Sequence, residues 1–278
     1  MGLIYKHPRK QQPRSPDGAN RALSVTNGLI WLSTPGNARA LGVVQAESNT
    51  GTISRTAKSF NANGSGTAWG IDAASSSVNL GASAQTTTGS ITVLVLALHT
   101  STGRGDFLTR WANGGTSPAA DQFNLLTGLT ASKPQFYVSS GATTANSGAS
   151  SIAITQTQPH VIVGSYGAGG NVKVYVDGAL GASAAGGGIL MSLTCTQNLR
   201  VGDSNTAGTS ISGWEGLVAM WDRQLSDAEV AEVSRNPWQL FASLPAIVPI
   251  GITAAGGAFN PAWAIGSNAI IGAAGAHA

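Results

Sequence analysis

The sequence predicts an all-β protein: a two-sheet antiparallel sandwich with one short C-terminal helix and an extended arm at each end. Three observations predict it. Short apolar runs rich in β-branched and aromatic residues recur at intervals of roughly 8 to 15 residues between Thr56 and Gln224, with Gly, Ser, Asn and Thr between them. Asp, Glu, Lys and Arg make up only 10% of the 278 residues, where about 25% is usual, so long surface helices lack the charged residues of a wet face. The 37 glycines are nearly twice the usual share of about 7% and suit a chain that turns often. The length is sufficient for one sizeable core.

Residues 1–55 read as a basic extended arm with a lead-in strand. Lys6, Arg9, Lys10, Arg14, Arg21, Arg39 and Arg55 face only Asp17 and Glu47, whereas the rest of the chain holds 8 basic and 10 acidic residues and is close to neutral. Pro8, Pro13 and Pro16, with almost no early apolar periodicity, leave too little surface to bury, so this arm gains its shape only against a partner. The partner expected for Lys6, Arg9, Lys10, Arg14 and Arg21 is an acidic protein surface. Nucleic acid is the weaker alternative, and a solvated tail is the bland one.

The sandwich is expected over residues 56–241. Its candidate strands are Ser90 to His99, Gln122 to Leu126, Gln135 to Ser139, His160 to Tyr166, Asn171 to Val176, Leu199 to Gly202 and Gly213 to Trp221. In the clearest hairpin, Val172, Val174 and Val176 alternate onto one face and Asp177-Gly178 supplies the two positive φ angles of a type I′ turn. Asp177 is therefore turn chemistry before it is a metal or sugar contact. One helix follows, Asp227 to Arg235. Ser226 and Glu229 form a capping box, Leu225 and Val230 a hydrophobic staple, and Pro237 bars continuation. The acids of this helix read as partners of its N-terminal dipole.

From residue 242 to Ala278 the chain is apolar, Gly/Ala-rich and without a charged residue, and Pro245, Pro249 and Pro261 break it. Ile247, Ile250, Phe259 and Trp263 have no charged gatekeepers beside them, so a free tail would aggregate. Burial against the protein's own body or against neighbouring chains is the expectation.

Several function classes lose support at this level. A single cysteine, Cys195, excludes an intramolecular disulfide framework and a Cys-based zinc site, and four scattered histidines offer no compact ligand spacing. The first apolar run is too short for a signal peptide, and Lys6 stands where a myristoylation motif wants Ser or Thr. The longest apolar run, Ile91 to Leu98, has strand length, far below the roughly 18 residues of a membrane span. Glycoside hydrolysis needs two carboxylates about 5 to 9 Å apart across a cleft, yet Asp106, Asp121, Asp177 and Asp203 lie singly in loop-like contexts, and Glu215 and Asp222 flank an apolar strand. No Gly-x-Ser-x-Gly stands with a His partner. No enzyme, no cofactor and no metal are expected.

The block from Gln158 to Tyr166, the Tyr175-Val176-Asp177-Gly178 hairpin, Leu199-Arg200-Val201-Gly202, and the run from Trp214 through Trp221-Asp222-Arg223 into Ser226-Asp227-Ala228-Glu229-Val230 resemble the C-terminal half of a laminin-G-like, concanavalin-A-like domain. The resemblance covers roughly residues 56 to 235 and implies a jelly-roll sandwich. The flanks, Lys6 to Pro13, Asn236-Pro237-Trp238-Gln239-Leu240-Phe241 and Asn260-Pro261-Ala262-Trp263, are similar to laminin-G-like proteins of tailed bacteriophages and prophages. That likeness implies a virion component made in the host cytoplasm, a capsid decoration protein or a head or tail fibre part. It would be homo-oligomeric and joined to neighbouring virion subunits by the basic arm and by Ile247, Ile250, Phe259 and Trp263.

The alternative is a lectin-like module for bacterial surface carbohydrate. Sugar recognition calls for exposed aromatic rings beside amide and carboxylate groups. Trp69, Trp111 and Trp214 are the visible candidates; Trp214, with Trp221, reads rather as core. Trp111 with Asp121, near Arg110 and Asn113, is the expected glycan contact. Laminin-G relatives carry calcium at the sandwich rim, where Asp106, Asp121 and Asp203 are the available carboxylates. With no second acid near any of them, solvated turn aspartates are expected instead.

Overall fold

The computed structural model describes residues 24–35, 67–71, 77–80, 89–111, 122–128, 132–191, 195, 197–203 and 209–241 with their side chains, and further strand segments as backbone. The strands, in chain order, are β1 (Leu29–Thr34), β2 (Asn37–Ala40), β3 (Val43–Val44), β4 (Ser48–Thr50), β5 (Ile53–Ser59), β6 (Ser65–Ile71), β7 (Ser77–Asn79), β8 (Ile91–His99), β9 (Gly105–Arg110), β10 (Phe123–Thr127), β11 (Pro134–Ser139), β12 (Thr144–Asn146), β13 (His160–Tyr166), β14 (Asn171–Val176), β15 (Ala179–Ala185), β16 (Arg200–Val201), β17 (Gly213–Trp221), β18 (Val248–Thr253) and β19 (Phe259–Ala264). The single α-helix among the described residues, α1, spans Asp227–Arg235.

The strands form two large antiparallel sheets. The larger runs β15-β14-β13-β8-β17-β1-β2-β3, with β5 and β6 attached beside β17; the smaller runs β12-β11-β10-β9-β16-β7-β4. Side chains alternate across each strand, and one half of each set meets between the sheets. Val93, Val95, Val172, Val174 and Val176 from the larger sheet share one core with Phe107, Leu108, Phe123, Leu125, Phe136 and Val138 from the smaller. The expected two-sheet sandwich is the observed architecture. Gly164 on β13 lets the sheets approach closely, because a Cβ there would overlap the Phe136 ring of the opposite sheet.

The outer face of the larger sheet carries a second core. Leu94, Leu96, Val161, Val163, Tyr175, Leu217 and Trp221 are covered by Leu225, Val230, Val233, Trp238, Leu240 and Phe241. Helix α1 is fixed there by its cap: Ser226 Oγ accepts from the Glu229 amide, and the Ser226 amide donates to the Glu229 carboxylate at 2.9 Å. Leu225 and Val230, the expected staple, are both buried in that core. The 3-10 turn Pro237–Leu240 continues the cover. The turn between β14 and β15 has φ of 51° at Asp177 and 84° at Gly178, as the sequence predicts. Asp177 also accepts from the Val161 amide at 2.8 Å and sits 2.7 Å from His160 Nδ1, which ties the hairpin back to β13.

Strand β1 lies ahead of residue 56, yet it is an interior strand of the larger sheet, paired with β17 on one side and β2 on the other. The indole of Trp221 donates to the Val25 carbonyl at 2.8 Å, and Arg223 Nε donates to the Asn27 carbonyl at 2.7 Å, so the chain is fastened from Ser24 onward. The expected arm residues Lys6, Arg9, Lys10, Arg14 and Arg21 lie outside the described residues, as does Ile247. Ile250 falls on β18, and Phe259 and Trp263 fall on β19, which pair as an antiparallel hairpin; their side chains are outside the description. Among the described residues no helix is long and apolar enough to cross a membrane.

Candidate functional site

The outer face of the smaller sheet is chemically unlike that of the larger. Phe123, Leu125, Phe136, Val138, Leu108 and Val201 point into the inter-sheet core, so the residues alternating with them point the other way. In register these make one cross-strand row: Asn146 opposite Tyr137, Tyr137 opposite Asn124, Asn124 opposite Thr109, Thr109 opposite Arg200, and Arg200 opposite Asn79. Every member is polar, and the row runs from β12 to β7.

Its centre is under-bonded. Asn124 Oδ1, Thr109 Oγ1 and Arg200 Nε are each shut off from solvent and, among the described residues, have no hydrogen-bond partner. Such a group carries a cost of about 1–3 kcal/mol, and native proteins leave few of them. Three in adjacent positions of one row set it apart from the rest of this sheet. Tyr137, Arg200 and Asn79 are half-buried and Asn146 is exposed, so the row is reachable from its flanks. Tyr137 Oη donates to Gln135 Oε1 at 2.8 Å, and the Trp111 ring meets the Tyr137 ring edge-on at 6.2 Å between centroids.

Charge on this sheet is arranged around arginines. Arg200 Nη1 donates to Ser77 Oγ at 3.3 Å. Arg110, buried, donates to the Gln197 carbonyl at 3.1 Å, the Cys195 carbonyl at 3.3 Å and Gln122 Oε1 at 3.2 Å; burial lowers its pKa from the ordinary value. Asp106 is held by Arg104 through contacts of 3.1 and 3.3 Å. Asp203 accepts from Thr209 Oγ1 at 2.8 Å. Burial pushes the Asp203 carboxyl up to about 6, with the Asp106 charge adding to the rise while Thr209 and Arg200 oppose it.

Several sequence expectations change here. Asp106 is not a loop aspartate: it is fully buried inside β9, and the Gly103-Arg104-Gly105 stretch before it hides the strand from pattern reading. Glu215 does not flank β17; it lies within it, 0% exposed, with neither carboxylate oxygen partnered. Trp69 and Trp214 are packed in the two cores and offer no sugar platform. Trp111, expected at an open rim, is 6% exposed, because its ring is packed against Tyr137. Asp121 and Asn113, its expected companions, lie outside the described residues. Among the described residues no three His, Cys, Asp or Glu side chains cluster as a metal site would require. Asn124, Thr109 and Arg200 were not legible as a site, since each reads as one wet residue of an alternating strand. The only signal was that Asn124 and Arg200 stand directly beside residues of the apolar core.

Solved structures with this fold include domain 4 of AbnA, an extracellular arabinanase from Geobacillus stearothermophilus, in complex with arabinotriose. It is 13% identical with a TM-score of 0.54 over 74% of this chain and 98% of that one. They also include botulinum neurotoxin type C, whose cell entry depends on interaction with two ganglioside molecules, 10% identical with a TM-score of 0.52 over 77% of this chain and 52% of that one. The binding domain of botulinum neurotoxin DC in complex with rat synaptotagmin II is likewise 10% identical, with a TM-score of 0.52 over 78% of this chain and 53% of that one. This chain thus spans about half the length of the neurotoxin chains. No curated protein matches its sequence. The family model of the concanavalin A-like lectin/glucanases superfamily matches residues 72–231, more than half of the chain. With the two-sheet sandwich and its order of elements, that match places the chain in the concanavalin A-like lectin/glucanases superfamily, in its laminin-G-like branch.

Proposed function

We propose that this protein is a non-catalytic carbohydrate-binding module and that the outer row of the smaller sheet is its binding face. The observation that carries the reading is the run of unpartnered Asn124 Oδ1, Thr109 Oγ1 and Arg200 Nε across three neighbouring strands. An amide, a hydroxyl and a guanidinium in one row match the closely spaced hydroxyls of a sugar, which both donate and accept. The half-buried Tyr137 beside them, with Trp111 behind it, supplies ring surface for the apolar face of a pyranose. The likeness to an arabinanase domain in complex with arabinotriose supports the same class of ligand.

The full chain on a glycan array tests this. At least one glycan class is retained by the wild type, and Asn124→Ala or Thr109→Val weakens it about tenfold, as loss of one or two ligand hydrogen bonds does, while the melting temperature does not fall. No retained glycan, or binding indifferent to both substitutions, refutes the reading.

A second reading rests on the two ends. The basic surplus in residues 1–55 and the charge-free stretch after Arg235 suit straps that join neighbouring subunits of a virion, as a decoration or fibre protein would. Deleting residues 1–23 or 245–278 then abolishes incorporation into particles while the sandwich stays folded. Truncated protein found at full occupancy on particles removes that reading. A module that binds sugar can also be a particle component.

A further inference from the structure

Resting on the carbohydrate reading, we infer that the face takes an acidic glycan, whose anionic group is received by Arg200 while its hydroxyls meet Asn124 and Thr109. Arg200 stands between Thr109 and Asn79 in the row. Its guanidinium has five donors in a planar fork that fits a carboxylate or sulfate through two parallel bonds. Among the described residues one of these donors is engaged, by the neutral Ser77 hydroxyl at a long 3.3 Å, and Nε is buried without a partner.

The acids nearby do not fill that place. Asp106 is taken by Arg104, and Asp203 turns an oxygen to Thr209; among the described residues neither makes an ion pair with Arg200. Arg110, on the next strand, stands opposite Phe123 and so leaves β9 on the side away from the row, where two carbonyls and a side-chain amide receive it; Arg200 is the cation of this face. A half-buried guanidinium that, among the described residues, has no bonded carboxylate creates a local demand for an anion. A neutral sugar would meet the oxygens of Asn124 and Thr109 and leave that demand unmet. The fork also explains why arginine rather than lysine suits the position.

The test is the full chain as wild type, R200Q and R200K on an array of matched pairs: trigalacturonate with its methyl ester, sialyllactose with lactose, and a sulfated galactoside with its unsulfated parent. The acidic member of at least one pair binds about tenfold or more tightly than its neutral twin, the usual effect of a hydrogen bond to a charged group. R200Q loses that preference, R200K regains part of it, and about 0.5 M NaCl weakens the acidic ligand more than the neutral one. Carboxylate and sulfate pairs separate the two sources of the anion. Equal binding to both members of every pair, or R200Q retaining the acidic preference, overturns the inference and leaves the carbohydrate reading in place. Failure to bind any member overturns the inference, and the carbohydrate reading falls with it only when the wider glycan array is empty as well. Melting curves of R200Q and R200K show whether a loss reflects unfolding.

Discussion

Glu215 gives the protein a pH dependence that can be read one proton at a time. Its side chain lies on the core-facing side of β17, in register with Trp69 on β6 and Ala97 on β8, both part of the inter-sheet core. Burial with no compensating bond to either oxygen raises its pKa well above the ordinary 4.5. A carboxyl raised in the folded state confers its full stability below the unfolded value and loses it as pH climbs toward the folded one. Within that window the unfolded chain has shed a proton that the folded chain keeps, so stability falls by about 1.4 kcal/mol per pH unit. The loss grows with each pH unit that separates the unfolded from the folded value, against the roughly 5–15 kcal/mol that holds a domain together. Glu215→Gln keeps the shape and removes the proton. Urea unfolding of wild type and variant between about pH 4.5 and 8.5 therefore shows the variant gaining on the wild type as pH rises, with the slope above until the folded-state value is passed. Glu215→Leu, which also removes the unpartnered oxygens, is more stable than Gln by about 1–3 kcal/mol. A difference between wild type and Glu215→Gln that stays flat across the range refutes the burial argument.

Three further outcomes are expected. Glu229 is drawn down to about 2, chiefly by Arg223 and then by Ser226, against the opposing effect of burial; Glu229→Gln costs about 2 kcal/mol at neutral pH. Because this pKa is depressed, that difference is present above 4.5 and shrinks as pH falls toward 2, which acid titration of the two melting temperatures checks. Gly164→Ala drives a methyl group into the Phe136 ring between the sheets and costs about 1–3 kcal/mol; an unchanged urea midpoint would show that the sheets separate freely there. Asp177→Ala loses the bond from the Val161 amide and the contact with His160 and places alanine at a φ of 51°. It lowers stability by about 1–2 kcal/mol, measured by thermal unfolding.

What was legible in the sequence followed from local chemistry. His160–Tyr166, Asn171–Val176 and Gly213–Trp221 announce themselves through β-branched and aromatic runs closed by turn residues, and α1 through a reciprocal cap that needs only four positions. What stayed hidden depends on the other sheet or on distant strands. Ala179–Ala185 has no alternating bulk to mark it and exists as a strand because the Asp177-Gly178 turn lays it against β14. Asp106 and Glu215 read as ordinary acids, because their burial comes from neighbours far along the chain. The Asn124, Thr109 and Arg200 row is a product of strand register: three polar residues from positions 109 to 200 become a row only when β9 is inserted between β10 and β16.

The insertion of β1 beside β17 bears on biosynthesis. The Trp221 indole that anchors this corner reaches a carbonyl 196 positions upstream. At about 5–20 residues per second, a ribosome spends ten seconds or more between making the two halves of that contact. During that interval β1 has no final neighbour on its β17 side, and its apolar Leu29, Trp31 and Leu32 must be kept from foreign strands. An expression product begun at residue 56 would lack this strand altogether, leaving the flank of β17 as an open template for chain-to-chain pairing. Recombinant work on the sandwich should therefore begin no later than Ser24.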